Sequence, residues 1–297
     1  MMDMLMQTVM QGVLLGGLYC LFALGLSLMY GVMRLTNTAQ GDFILLGSFS
    51  AVACIAGLTW LAPDLAWLPV LLLPVLLLLA FAVGFVLQRQ VLNRVLGKDP
   101  LPSLVVTFGL SIVIQNLLLE LFSADPRSIE SAGLNIASLP LPGGFALGVL
   151  PMLILALALA ATYGLQWMFN HTALGRSFRA VSDDLEIAQL MGLNAKRVYA
   201  YATGIAFMLI TVAGVLQAMR TTVSPSDGPM LLLFAFESVI IGGMGSFQGT
   251  LIGALLLGIT QQIGFLFDPG WGIWFGHMVF LLLLVLRPQG LFPKTVG

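Results

Sequence analysis

Apolar runs of about 20 residues recur along almost the whole chain, parted by short polar interruptions. That pattern leaves few folds open. A helix needs about 20 apolar residues to cross the roughly 30 Å core of a bilayer, and backbone in that core must satisfy its own N–H and C=O groups, which selects helices. Runs of this kind lie near residues 8–30, 42–62, 66–88, 102–122, 148–169, 196–219, 249–267 and 271–286. Ordinary globular domains carry about a quarter charged residues; here 59% of residues are hydrophobic and 8% charged, with a mean hydropathy of +1.02. The chain reads as an all-α polytopic transmembrane bundle of about eight full spans, forming one domain over 1–297.

A further apolar piece, Met230 to Ile241, has 12 residues, or about 18 Å of helix. It reads as a short or broken intramembrane helix, spanning in part or re-entrant. The net charge of −1 gives no basic field for nucleic acid, and Cys20 and Cys54 lie inside apolar runs without metal-ligand spacing. No lysine or arginine precedes Arg34, so the first run lacks the positive flank of a cleaved signal and is expected to be retained.

Basic residues are kept preferentially on the cytoplasmic side. One orientation puts Arg34, Arg89, Arg94, Lys98, Arg176, Arg179, Lys196, Arg197, Arg287 and Lys294 inside, which is 10 of 12 lysines and arginines, and leaves Arg127 and Arg220 outside. This predicts an external N-terminus and a cytoplasmic C-terminus, with the short piece supplying the odd crossing. The external loop Ser123 to Gly148, with Pro126, Pro140, Pro142, Gly143 and Gly144, is too small for a separate ligand-binding domain.

Two stretches interrupt apolar helix with polar or glycine residues: Asn37, Thr38, Ala39, Gln40, Gly41 and Asp42, and then Gly242, Gly243, Gly245 and Gly249. Gln40-Gly41 and Gln248-Gly249 repeat one dipeptide ahead of an apolar helix. Non-helical backbone at membrane depth is tolerated where protein buries it or a water-filled cavity meets it, and paired interruptions point to a substrate route. The alternative is a pair of membrane-edge turns. Glu237, inside the short piece, costs about 2.5 to 3.5 kcal/mol at a bilayer centre unless it finds water or a partner. It reads as a group on a permeation path, as a helix–helix contact, or as an acid near an interface.

Of 12 lysines and arginines and 13 acids, seven fall between Arg176 and Arg197, which makes residues 172–195 an aqueous segment. Leu174, Phe178, Val181, Leu185 and Ala188 recur at helical spacing on one face. Arg176, Arg179, Asp183 and Glu186 lie mostly off that stripe; Gly192 reads as a stop and Asn194 as the cap of the next span. Arginines early and acids late oppose the helix macrodipole. The charges therefore serve a partner or form a merely solvated face.

The run LGRSFRAVSDDLEIAQLMGLNAKRVYAYATGIAF closely resembles the cytoplasmic coupling segment of branched-chain amino acid ABC importer permeases of the Liv type. TNTAQGDFILLGSFSA is similar to that family's Asn-x-Ala-x-Gly signature, departing at Gln40, where the family often has His. ESVIIGGMGSFQGTLIGALLLG resembles its glycine-rich late element, and RPQGLFPK its usual ending. Length favours the shorter, H-subunit-like type. The resemblance implies a permease subunit, not an enzyme, in the bacterial inner membrane. It also implies a second homologous permease, a periplasmic binding protein, and two cytoplasmic ATPases that bind ATP-Mg; this chain itself holds no cofactor, and it has no G-x-x-x-x-G-K-[ST] phosphate loop. By resemblance Arg176, Arg179, Ala180, Asp183, Ala188 and Gly192 fall in the ATPase-docking helix, to which Glu186 is added by its position. Asn37, Ala39 and Gly41 fall in the signature near the pathway, flanked by Gln40 and Asp42; Glu237, Gly242 and Gly243 join them on the cost and spacing arguments above.

An ion-coupled secondary transporter would draw on Asp42, Glu120 and Glu237. An intramembrane enzyme finds no support: His171 and His277 lack an H-E-x-x-H context, and His277 reads as a packed or interface residue. Permeases of this kind also serve urea, short amides and other small carboxylates.

Overall fold

Apolar runs that satisfy their own hydrogen bonds become helices, and the computed structural model builds them in order. It describes residues 2–61, 68–97, 99–130, 133–141 and 145–292. Lys98, Pro142, Gly143, Gly144, Lys294 and the span limits at 62 and 66 lie outside the described residues. The helices are α1 (Met2–Met33), α2 (Gln40–Leu61), α3 (Leu68–Leu87), a short α4 (Asn93–Val95) reached from α3 through a π turn, α5 (Leu101–Phe122), α6 (Val149–His171), α7 (Ala173–Asp183), α8 (Leu185–Leu190), α9 (Ala195–Arg220), α10 (Gly228–Gly242), α11 (Phe247–Phe267) and α12 (Trp271–Leu286). The loop between α5 and α6 contains an antiparallel hairpin, β1 (Ser138–Leu141) with β2 (Phe145–Gly148), Ser138 opposite Gly148.

Seven of the described helices are long and apolar enough to cross a membrane. The sequence reading counted eight; the eighth, α12, has 16 residues, or about 24 Å of helix. Like the 15-residue α10, it falls short of a full span by length alone.

Burial separates centre from rim. Of the apolar window of α1, 94% is buried, against 17% for α3 and for α5. Small residues seat α1: Gly12 and Gly16 face Gly258 and Ala254 of α11, and a Cβ on any of the three glycines would strike the opposite backbone. Packing of this kind replaces the hydrophobic drive that lipid cannot supply. Five residues earlier on α11, Gly249 and Gly253 receive Gly242 and Ser238 of α10 in the same way.

α1 is antiparallel to α11, and α3 to α9, where the Asn93 amide donates to the Lys196 carbonyl at 3.1 Å. At the opposite end Arg127 and Val223 pair through their backbones. These contacts gather Arg34, Arg94, Arg176, Arg179, Lys196, Arg197 and Arg287 at one end of the bundle, and Arg127 and Arg220 at the other.

Candidate functional site

Arg34 ends α1 with a left-handed backbone, φ 52°, and the chain turns back alongside the helix it has just left. Asn37 accepts the Ala39 N–H at 3.1 Å, and the Gln40 amide donates to the Phe22 carbonyl at 3.1 Å. Phe22 lies 11 residues before Met33, so α2 starts roughly 16 Å back from the end of α1. The signature-like segment is therefore buried within the bundle, well back from the end of α1. Thr38 and Thr107 of α5 share a hydrogen bond at 2.8 Å, and Ser111 donates to Asp42 at 2.5 Å.

The other short helix begins against the same place. A Cβ on Gly41 would overlap the Gly228 carbonyl, and one on Gly228 would overlap the Asp42 carboxylate. Two helix N-termini thus meet around Asp42. The repeated dipeptides gain a meaning here: Gly41 seats the start of α10 and Gly249 seats its end.

Glu237 is 1% exposed and receives His277 of α12 at 2.5 Å. Of the three readings of this acid, the helix–helix contact is the one visible as geometry. Beside it, Phe234 stacks on Tyr19 at 4.7 Å, and the Tyr19 hydroxyl donates to Gln261 at 2.5 Å. Among the described residues, five buried side-chain atoms have no hydrogen-bond partner: Asn37 Nδ2, Gln40 Oε1, Asp42 Oδ1, Glu237 Oε2 and Gln261 Nε2. All five belong to these two adjoining groups. Buried polar atoms are normally paired, which singles out these two groups within the bundle.

The charged segment forms two helices where the sequence pattern predicted one. Asp184 is extended (φ −145°, ψ 110°) and caps α8 by accepting the Ile187 N–H at 2.9 Å. The aspartate offers the backbone N–H groups an acceptor that helix continuation does not need, and the stripe breaks accordingly. Phe178, Val181 and Ala188 are buried, whereas Leu174 and Leu185 are 42% and 41% exposed. Gly192 stops the segment with φ +87°, and the Asn194 side chain caps α9, as expected.

Of the docking candidates, Arg176, Asp183, Glu186 and Gly192 are exposed, Arg179 and Ala180 are half-buried, and Ala188 is sealed in the chain's own core. Arg179 donates to Asn170 at 3.3 Å. The residues that sequence reasoning passed over are Ile187, Leu190 and Met191, exposed by 60%, 87% and 80%. Their signal was available, since three large apolar side chains fall outside the helical stripe in a charged segment.

The helix pair is tied to the bundle at several points. Ser182 donates to the Gly31 carbonyl of α1 at 2.7 Å. Phe178 packs on Phe169 of α6, which meets Phe247 of α11 edge-on at 4.9 Å. Gly31 lies against Gly245 of the turn after α10, and the closing segment covers that turn: Leu291 and Phe292 donate to the Ile241 and Gly242 carbonyls at 2.9 and 3.0 Å. Gly242 and Gly243 thus lie in the joint between α10 and α11, a helix turn and more away from Glu237.

Residues 8–287 match the family described as the branched-chain amino acid transport system permease component. The chain is 28% identical to the high-affinity branched-chain amino acid transport system permease protein LivH of Escherichia coli, covering 97% of this chain and 96% of that one. It is 27% identical, with the same coverage, to the corresponding protein BraD of Pseudomonas aeruginosa. The autoinducer 2 import system permease protein LsrC of Yersinia pseudotuberculosis is 28% identical over 62% of this chain and 52% of its own length. No solved structure matches. The apolar helices make the chain a multi-pass membrane protein, and it belongs to the branched-chain amino acid transport permease family.

Proposed function

We propose that this chain is one of two homologous permease subunits of an ATP-driven importer in the bacterial inner membrane. Its cargo is a branched-chain or related hydrophobic amino acid delivered by a periplasmic binding protein. The N-terminus lies outside and the C-terminus in the cytoplasm; the short α10 and α12 then count as crossings, for nine in all. Two cytoplasmic ATPases supply the ATP-Mg chemistry and dock on α7 and α8.

The observation that carries this reading is the surface of α8. Ile187, Leu190 and Met191 stand exposed beside Glu186 at the charged end of the bundle, and burying a Leu or Met side chain is worth about 1.5 to 3 kcal/mol. Such a surface favours a protein partner over solvent. Its ties to α1, α6 and α11 give docking a mechanical route to the mid-membrane groups. Movement of α7 shifts the end of α1 and the turn after α10, and so bears on the α2–α10 junction. Parting α2 from α10 would free the unpartnered atoms of Asn37, Gln40 and Asp42 for an amino acid's ammonium and carboxylate, with Ala39 and Gly41 giving close backbone approach. Gaining only partial hydrogen bonding there, the cargo is held weakly enough to leave.

The experiment is uptake of labelled leucine into proteoliposomes that hold the whole complex and internal ATP, with ionophores collapsing every ion gradient. Uptake that needs ATP and the loaded binding protein, and ignores the ionophores, is the expected result. Uptake abolished by the ionophores would replace this reading with ion coupling through Asp42 and Glu237. The partial likeness to an autoinducer 2 permease makes a polar small molecule the cargo to run in parallel.

A further inference from the structure

Asn116 lies where neither the bundle nor lipid can serve it. In α5 the buried positions are Ser103, Thr107, Ile114 and Leu118. At 3.6 residues per turn, Asn116 stands about 180° from their mean direction. It is exposed, and its amide donates back to the Ile112 carbonyl of its own helix at 2.8 Å. Among the described residues its carboxamide oxygen has no partner. Six residues separate it from the end of α5 at Phe122, or about 9 Å along the axis, which sets it within the apolar span.

The rest of the stripe agrees. Gly109, one heptad earlier on the same face, has nothing within 4 Å of where its Cβ would stand, which leaves a flat place for another helix to approach closely. Val105, Phe108 and Ile112 flank it and are exposed. By contrast α3, equally peripheral, has no polar side chain between Leu68 and Leu87, and its outward residues Val75, Leu78, Leu79, Val83 and Val86 suit acyl chains. A carboxamide inside a membrane is matched by a hydrogen-bonding group on another helix, and polar intramembrane side chains face the interior of an assembly.

We propose that the outward stripe of α5 centred on Asn116 is the seam against the second, homologous permease subunit. This rests on the reading of the chain as half of a permease pair. The occupant follows from the chemistry: the face needs an apolar helix that carries a hydrogen-bonding group at the depth of Asn116, which lipid lacks and a homologous membrane subunit supplies. The inner side of the same helix already holds the mid-membrane groups through Thr107 to Thr38 and Ser111 to Asp42. A partner on the outer side therefore sits one helix away from the α2–α10 junction, and the α5 pair becomes the wall between the two half-sites.

The test places a photo-cross-linking amino acid at Ile112, and separately at Leu79 of α3, in the complete complex in native membranes. Covalent adducts to the second permease from position 112 and none from 79 are expected. Adducts from position 79 but not 112, adducts to lipid alone, or adducts to a second copy of this chain would each overturn the seam. Asn116→Leu is expected to lower recovery of the second permease with this chain by about threefold, with Asn116→Gln restoring it; full recovery with Asn116→Leu would also count against the seam. ATP-driven leucine uptake is measured on the same membranes. Persistent uptake without the adducts would remove the seam and leave the function, whereas adducts in membranes whose uptake is independent of ATP would do the reverse.

Discussion

α8 and the outward face of α5 are matched to their surroundings badly, and in opposite senses. α8 presents Ile187, Leu190 and Met191 at the charged end of the bundle, while α5 presents Asn116 on an apolar span. The first is apolar where charge dominates, and the second is polar where hydrocarbon does. The contrast teaches that a partner surface on a membrane protein is found by departure from the local solvent, not by hydrophobicity as such. On the same criterion α3 is a finished lipid-facing surface, since nothing on it asks for more than acyl chains.

Breaking the interior sets the scale for breaking either surface. Gly258→Leu puts a side chain into the backbone of α1 and is expected to cost about 4 kcal/mol or more, leaving no folded protein by thermal melting in detergent. Leu190→Asp with Met191→Asp comes next. Uptake should fall more than about tenfold, the equivalent of about 1.4 kcal/mol, while the melting of the isolated chain moves by no more than about 0.5 kcal/mol, as for other surface changes. A large melting shift would make these side chains part of the fold and dissolve the comparison. The reciprocal variant Leu79→Asn gives α3 the amide that α5 has; the second permease should be recovered undiminished, since no seam is expected there.

The smallest effect is expected at the joint between α7 and α1. Ser182→Ala deletes the 2.7 Å hydrogen bond to Gly31, worth about 0.5 to 1.5 kcal/mol. It should lower the stimulation of ATP hydrolysis by loaded binding protein without detaching the ATPases. Unchanged stimulation would place the mechanical link elsewhere, with the Phe178–Phe169–Phe247 contacts as the remaining route.

What the sequence makes legible is whatever depends on neighbours along the chain. The apolar runs, the stop at Gly192, the cap at Asn194 and the aqueous segment all rest on local composition and spacing. Depth is different. Polar residues from Asn37 to Asp42 announce an interruption, but only the hydrogen bond from Gln40 to Phe22 shows that the chain doubles back. Glu237 could be flagged by its cost, yet its partner His277 sits 40 residues away on a helix with its own apolar pattern. The break at Asp184 was concealed because Leu185 and Ala188 continue the helical stripe across it. Asn116 passed unremarked because it is one of several polar residues, with Ser103, Thr107, Ser111, Gln115 and Glu120, that still leave α5 apolar enough to span, and its meaning depends on which face the bundle buries.

The account stands on α8 as the surface that receives the ATPase. A photo-cross-linking amino acid at Leu190, illuminated in membranes that carry out ATP-driven uptake, measures that contact directly. A covalent adduct with the ATPase subunit is the predicted result. Its absence in membranes that go on transporting would contradict the account.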